Sequence, residues 1–215
     1  MPNQTERLTI KHIETDFEIT DLANGTWDAS ERVRVTDYWS GELATDGRHF
    51  STRILWSVTA LYARFDANQA EELVVSDSPD TTRKTLGLWD RDVCEIFVAP
   101  DRTEPRRYFE FEITPNGEWL DLAIDTRGEE RRTDWNYNSG MESFASIGEG
   151  CVTMAMKIPW TAFGRAPSGG DVWLGNIFRC VGSGPDRGYL AYNPTETPEP
   201  NFHVPAKFVE FRFWK

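Results

Sequence analysis

Glu95, Glu110 and Glu112 recur at alternate positions in two segments, Asp92–Val98 and Arg107–Thr114. Phe97 and Tyr108 alternate in step with them, and a third segment, Glu118–Asp125, adds Trp119 and Asp121. Alternate residues of an extended chain point to one side. The expected result is a sheet face that mixes rings with carboxylates. A pyranose suits such a face, because its C–H side stacks on a ring and its hydroxyls bond to charged acceptors. Three other uses fit the same residues. Glu110 and Glu112, as i and i+2 neighbours, can supply the acid and base of glycoside hydrolysis, which needs two carboxyls roughly 5 to 9 Å apart. Clustered carboxylates also suit calcium. On a plain solvent face they would pair with Arg106, Arg107 and Arg179.

Sharper catalytic signatures are missing from the chain. His12, His49 and His203 are scattered and form no HExxH, which argues against a zinc hydrolase. No D-x-D-x-D-G loop, GxSxG, Walker loop or GxGxxG occurs, and Gly182-Ser183-Gly184 reads as a turn.

The elements that must hold these groups are short. Long helical periodicity is absent, and apolar alternation is broken by Gly, Pro, Asn and Asp, which predicts an all-β chain. Expected strands are Leu8–Ile13, Arg32–Tyr38, Arg53–Val58, Ala60–Asp66, Asp92–Val98, Arg107–Thr114, Glu118–Asp125, Cys151–Ile158, Val172–Cys180 and Phe208–Phe213. Pro115-Asn116-Gly117 marks a turn between two of them. The alternation predicts that Cys94, Ile96 and Val98 share an apolar face with Phe109, Phe111 and Ile113, and with Leu120, Leu122 and Ile124. Pro159–Phe163 reads as a short helical turn, and Gly182–Pro205 as a long loop, either functional or mobile.

Composition bounds the partners. The chain has 215 residues, with 23 Lys+Arg against 35 Asp+Glu, a net charge of −12. That charge repels phosphate backbones and anionic lipid, so no nucleic-acid or membrane partner is expected. Cys94, Cys151 and Cys180 sit in apolar stretches without a CxxC pair and read as buried thiols. The opening MPNQTERLTIKHI has no basic region followed by an apolar run. The expectation for the chain as given is a cytoplasmic location. Its length fits a single domain over residues 1–215.

Leu88-Trp89-Asp90-Arg91-Asp92-Val93-Cys94-Glu95-Ile96-Phe97 resembles the family-nine carbohydrate-binding modules, within the DOMON-like sandwiches. The likeness continues in order through Tyr108-Phe109-Glu110-Phe111, Lys157-Ile158-Pro159-Trp160, Gly175-Asn176-Ile177-Phe178-Arg179 and Phe202-His203-Val204-Pro205. The resemblance implies a two-sheet antiparallel β-sandwich, jelly-roll-like, with minor helical turns. It implies non-catalytic binding of a saccharide chain end between two rings. The first ring falls on Trp89, the second on Tyr192, and the orienting glutamate on Glu95. Asn176, Glu110 and Glu112 are secondary candidates. Glu110 stands where the family places a basic residue, Glu112 at an amide position and Phe178 at a glutamine position, which makes the pocket more acidic. The resemblance also allows structural calcium, with no ligands assigned, and a partner glycoside hydrolase. A glycoside hydrolase and a ligand-free interaction domain are the alternatives. Haem binding would need Met154, Met156 or His203 as axial ligands.

Overall fold

In the computed structural model, which describes residues 7–215, thirteen strands join into one ladder folded into two facing layers. The first layer runs β8 (Arg132–Asp134), β7 (Trp119–Asp125), β6 (Arg107–Ile113), β5 (Val93–Ala99), β11 (Val172–Val181) and β13 (Val209–Trp214). The second runs β1 (Arg7–His12), β3 (Phe50–Trp56), β4 (Ala60–Asn68), β10 (Cys151–Pro159) and β9 (Glu142–Gly148). β2 (Val33–Val35) attaches to β3, and β12 (Gly188–Ala191) to β11. β1 pairs in parallel with both β13 and β3 and forms the seam; the other ladders are antiparallel. The result is the expected β-sandwich, with short 3-10 turns as its helical content. Residues 1–6, part of the segment read for an export signal, lie outside the described residues. Among the described residues, no helix is long and apolar enough to cross a membrane.

Apolar packing fills three levels. Between the layers, Ile96, Phe111 and Ile177 meet Ile54, Phe65 and Met154. Outside the first layer, Phe97, Tyr108, Leu120 and Phe178 form a second cluster, closed by Leu88, Phe202 and Phe208 from loops. Outside the second layer, Leu55, Tyr62 and Ala155 are covered by Ile13, Ile19 and Trp27. Both faces of the central strands are therefore covered, and every residue of β5 is buried.

The expected face of β7 is reversed. Phe111 pairs with Asp121 and Glu112 with Leu120, so Leu120, Leu122 and Ile124 join the glutamate face. The turn is the cause. Pro115, Asn116 and Gly117 form a three-residue loop closed by the Thr114 N–H donating to the Glu118 carbonyl at 2.9 Å. Gly117 sits at φ 86°, the left-handed position of such a loop. A register change of one residue exchanges every side chain between faces. Trp119 consequently packs on the interlayer core. Asp121 is buried beside Lys84 at 2.5 Å, and its Oδ2 accepts from the Ser139 N–H at 2.6 Å.

Three strands were not foreseen. β9 lacks clean alternation, β8 is three residues long, and β12 lies inside the expected loop Gly182–Pro205. The helical turn is present as Trp160–Phe163. Cys94 and Cys180 are buried free thiols, but Cys151 is exposed, because it opens β10 at the end of its ladder.

Candidate functional site

The outer face of the first layer opens into a cavity of about 360 Å³. Its floor comes from alternate residues of paired strands: Glu95 and Phe97 of β5, Glu110 of β6 and Leu122 of β7. Cys180 of β11 adds a thiol whose Sγ lies 3.6 Å from Glu95 Oε1. Arg131 and His203 enter from loops, and Trp89 and Trp135 form the rim.

Local chain geometry presents the two rings. Trp89 rides a 3-10 turn, Leu88–Asp90, entered through Gly87 at φ 82°, which suits glycine. Leu88 is buried and anchors the turn, whereas Trp89 remains 39% exposed. Arg187 ties this turn to the β11–β12 connection: it donates to the Trp89 carbonyl at 2.8 Å and to the Arg91 and Gly182 carbonyls. Trp135 follows β8 and is 46% exposed. The Asp134 side chain accepts from the Asn136 N–H at 3.0 Å, and the Tyr137 hydroxyl donates to the Ala162 carbonyl at 2.8 Å. The ring centroids of Trp89 and Trp135 are 6.2 Å apart with planes tilted by 51°. That is the spacing of a touching aromatic pair, so the rings make one apolar wall rather than an open slot.

Beneath that wall the electrostatics are unusual. Glu95, Glu110 and Glu112 each bring a carboxylate oxygen within 4.8 Å of the others. Their exposures are 2%, 3% and 0%. Burial, followed by the neighbouring glutamate charges, pushes the Glu95 and Glu112 carboxyls well above the usual range. Burial also raises Glu110. His203 Nδ1 lies 2.7 Å from the Tyr108 hydroxyl. Burial, followed by the Arg131 charge, lowers the His203 pKa to about 3, so the ring is neutral near pH 7. Burial raises the Tyr108 pKa; the phenol keeps its proton and donates it to Nδ1, an assignment made from the network.

Trp89, Glu95 and Glu110 meet at this cavity. Tyr192 does not. Tyr189 and Ala191 face the cavity side, so Leu190 and Tyr192 turn inward, and Tyr192 packs against the interlayer core. Asn176 is fully buried: its Nδ2 donates to the Asn193 carbonyl at 2.8 Å, and its Oδ1 accepts from Ile177 and Asn193. It clamps a loop. Glu112 lies behind Glu95 and Glu110, outside the cavity lining. The rim ring that sequence reasoning missed is Trp135. Its signal was a tryptophan among turn residues, Asp134-Trp135-Asn136, with no apolar alternation to require it in a core.

A two-layer β-sandwich with an aromatic-rimmed depression on one outer face defines a class of ligand-binding module. The chain belongs to the carbohydrate family 9 binding domain-like family, whose model matches residues 20–182. A described extracellular protein of Arthroderma benhamiae is 25% identical over 140 residues, which cover 59% of this chain and 62% of that protein. The match thus spans less than two thirds of the relative. A candidate carbohydrate-binding protein from Bacteroides uniformis superposes with a TM-score of 0.76 at 19% identity, covering 97% of this chain and 99% of the other. A family 9 module from Caldicellulosiruptor kristjanssonii, solved in complex with cellotriose, gives 0.69 at 12% identity, covering 97% and 94%. The same module with glucose gives 0.69 at 12%, covering 97% and 95%. At these identities the structural likeness concerns the fold.

Proposed function

We propose that this chain binds a saccharide without transforming it, at the depression rimmed by Trp89 and Trp135. The observation that carries this reading is a pair of exposed indoles above a cavity floored by buried carboxyls. The rings offer apolar area for a sugar's C–H face. Glu95 and Glu110 offer oxygens to its hydroxyls, and their raised pKa values let a carboxyl donate as well as accept. The cellotriose and glucose held by the Caldicellulosiruptor module support the same ligand class. A role beside a glycoside hydrolase in carbohydrate breakdown fits this reading. Hydrolysis by the chain itself has less support. The glutamate oxygens cluster within 4.8 Å on one floor, whereas an acid and base flank the scissile bond at roughly 5 Å or more.

Calorimetry against glucose, cello-oligosaccharides and xylo-oligosaccharides tests the proposal. Trp89→Ala and Trp135→Ala should each weaken the best ligand by about 2 kcal/mol, roughly thirtyfold, with little change in melting temperature. Tyr192→Ala should lower stability and leave affinity nearly unchanged. Full affinity in both tryptophan variants would place the sugar elsewhere. Sustained release of reducing sugar, lost in a folded Glu110→Gln variant, would favour the hydrolase.

A further inference from the structure

The edge of the first layer carries a second and larger cavity, of about 850 Å³. β8 divides it from the depression. Alternation along the chain here turns Arg131 and Trp135 to the depression, and Arg132 and Asp134 to the second cavity; Thr133 borders both. Because β8 is three residues long and ends the ladder, it leaves the interlayer core partly open at this edge. Phe109 and Ala123 are half-buried there. With Phe163 they make an apolar floor, the two phenyl rings standing edge to face at 5.5 Å. A row of charge runs beside that floor. Arg107, Asp125 and Arg132 lie opposite one another across the β6–β7 and β7–β8 ladders, and Arg127 pairs with Asp125 at 2.6 Å. Hydrogen bonds from Arg127, aided by the charges of Arg127 and Arg107, hold the Asp125 carboxyl well below the usual range. Three guanidiniums thus surround one carboxylate. The remaining acidic groups of the lining are engaged elsewhere. Asp101 accepts from the Thr103 N–H at 2.9 Å and its hydroxyl at 2.6 Å. Glu104 lies 3.4 Å from Arg106, and Asp134 accepts from the Asn136 N–H at 3.0 Å. Arg165 faces Asp171 at 3.4 Å. Among the described residues, the guanidiniums of Arg107 and Arg132 make no hydrogen bond and no close ion pair.

We propose that this groove binds a carboxylated saccharide, with Arg107 and Arg132 on the carboxylate of a uronic acid residue and the Phe109 floor beneath its ring. The planar fork of a guanidinium matches a carboxylate with paired bonds. Two unengaged forks beside an apolar floor therefore fit a ligand that has both an anion and a C–H face. A bare phosphate would use the forks and leave the floor uncovered. The net charge of −12 opposes anions at long range, but salt screens such fields beyond about 8 Å at physiological ionic strength, and contact bonds act well within that distance. The choice of a saccharide as carrier of the carboxylate rests on the reading of the neighbouring depression, across a single strand.

The test uses a xylo-oligosaccharide that bears one glucuronic acid side group, and the same oligosaccharide after its carboxyl is reduced to the alcohol. Each is titrated into the full chain by calorimetry at pH 7.5. The acidic form is expected to bind about tenfold tighter or more. Combining Arg107→Gln with Arg132→Gln should abolish that difference and leave affinity for the reduced form as in the parent. Both side chains are exposed, so the melting temperature should not move. Trp89→Ala should weaken both ligands by the same factor and preserve their ratio. An acidic preference that persists while Trp89→Ala changes nothing would overturn the reading of the depression and leave the groove standing. Equal affinity for the two forms, or binding of neither, would overturn the groove. So would a preference that survives the double arginine variant. Displacement of the acidic ligand by inorganic phosphate at equal concentration would also overturn it, since that result describes a general anion site with no use for the sugar ring.

Discussion

A side chain that keeps its surface in water adds little to folding and remains available for something else. Trp89 and Trp135 are in that position, while their turns are fixed from below by Leu88 and Tyr137. Two of the three cysteines show the opposite arrangement. Burial pushes the Cys94 thiol up to about 12, and Cys180 is raised as well, so neither forms thiolate readily. Cys151 is exposed. One thiol of three should therefore react quickly with an aromatic disulfide reagent at pH 8, and all three in denaturant; Cys151→Ser should remove the native signal. Fast labelling of a second thiol would mean that the cavity floor beside Glu95 opens. At this scale much of the depression was legible in the sequence. The period-two alternation placed Glu95 and Glu110 on one face, and the family resemblance singled out Trp89. Trp135 and Arg131 were not legible, because loop residues carry no periodicity to fix their direction. Tyr192 was misplaced for a related reason: its direction is set by the register of β12, a strand hidden in a segment read as loop.

Strand positions were easier to read than strand faces. β4, β5, β6, β7, β10 and β11 follow the alternation closely, but the face of β7 depends on whether its connecting loop is odd or even. Loop parity depends on backbone dihedrals, and the hydrophobic pattern misled because leucines are needed on both sides of a doubly covered sheet. The glycine of that loop gives a direct measurement. An alanine Cβ at Gly117 would meet only Thr81 Cγ2 at 3.5 Å, an ordinary contact. Its cost is therefore conformational, because the residue sits at φ 86°. Gly117→Ala should lower stability by about 1 to 2 kcal/mol, read from the denaturant midpoint. Gly25→Ala, where nothing lies within 4 Å and φ is ordinary, should stay within about 0.5 kcal/mol. Equal effects at the two sites would show that the β6–β7 loop does not require a left-handed residue.

Across the whole molecule, the family resemblance predicted the architecture well, because widely spaced short motifs keep their order even where individual residues drift. What it did not convey is how the layers are joined. β1 lies between β13 and β3, parallel to both, and Arg7–Lys11 pairs with Glu210–Trp214 in register. This seam has a mechanical consequence. Tension that enters at the start of β1 and leaves at the end of β13 runs along two parallel strands in opposite senses. The paired positions then share the load in shear and must yield together. Tension between Asn68 and Cys151, which face each other at one end of the β4–β10 ladder, would open that ladder one bond at a time. Single-molecule pulling should therefore find a markedly higher rupture force through the end strands than through an Asn68→Cys variant tethered at Cys151. The outer face of the first layer, which carries the depression, would therefore stay intact longest under a load applied along the first of these axes.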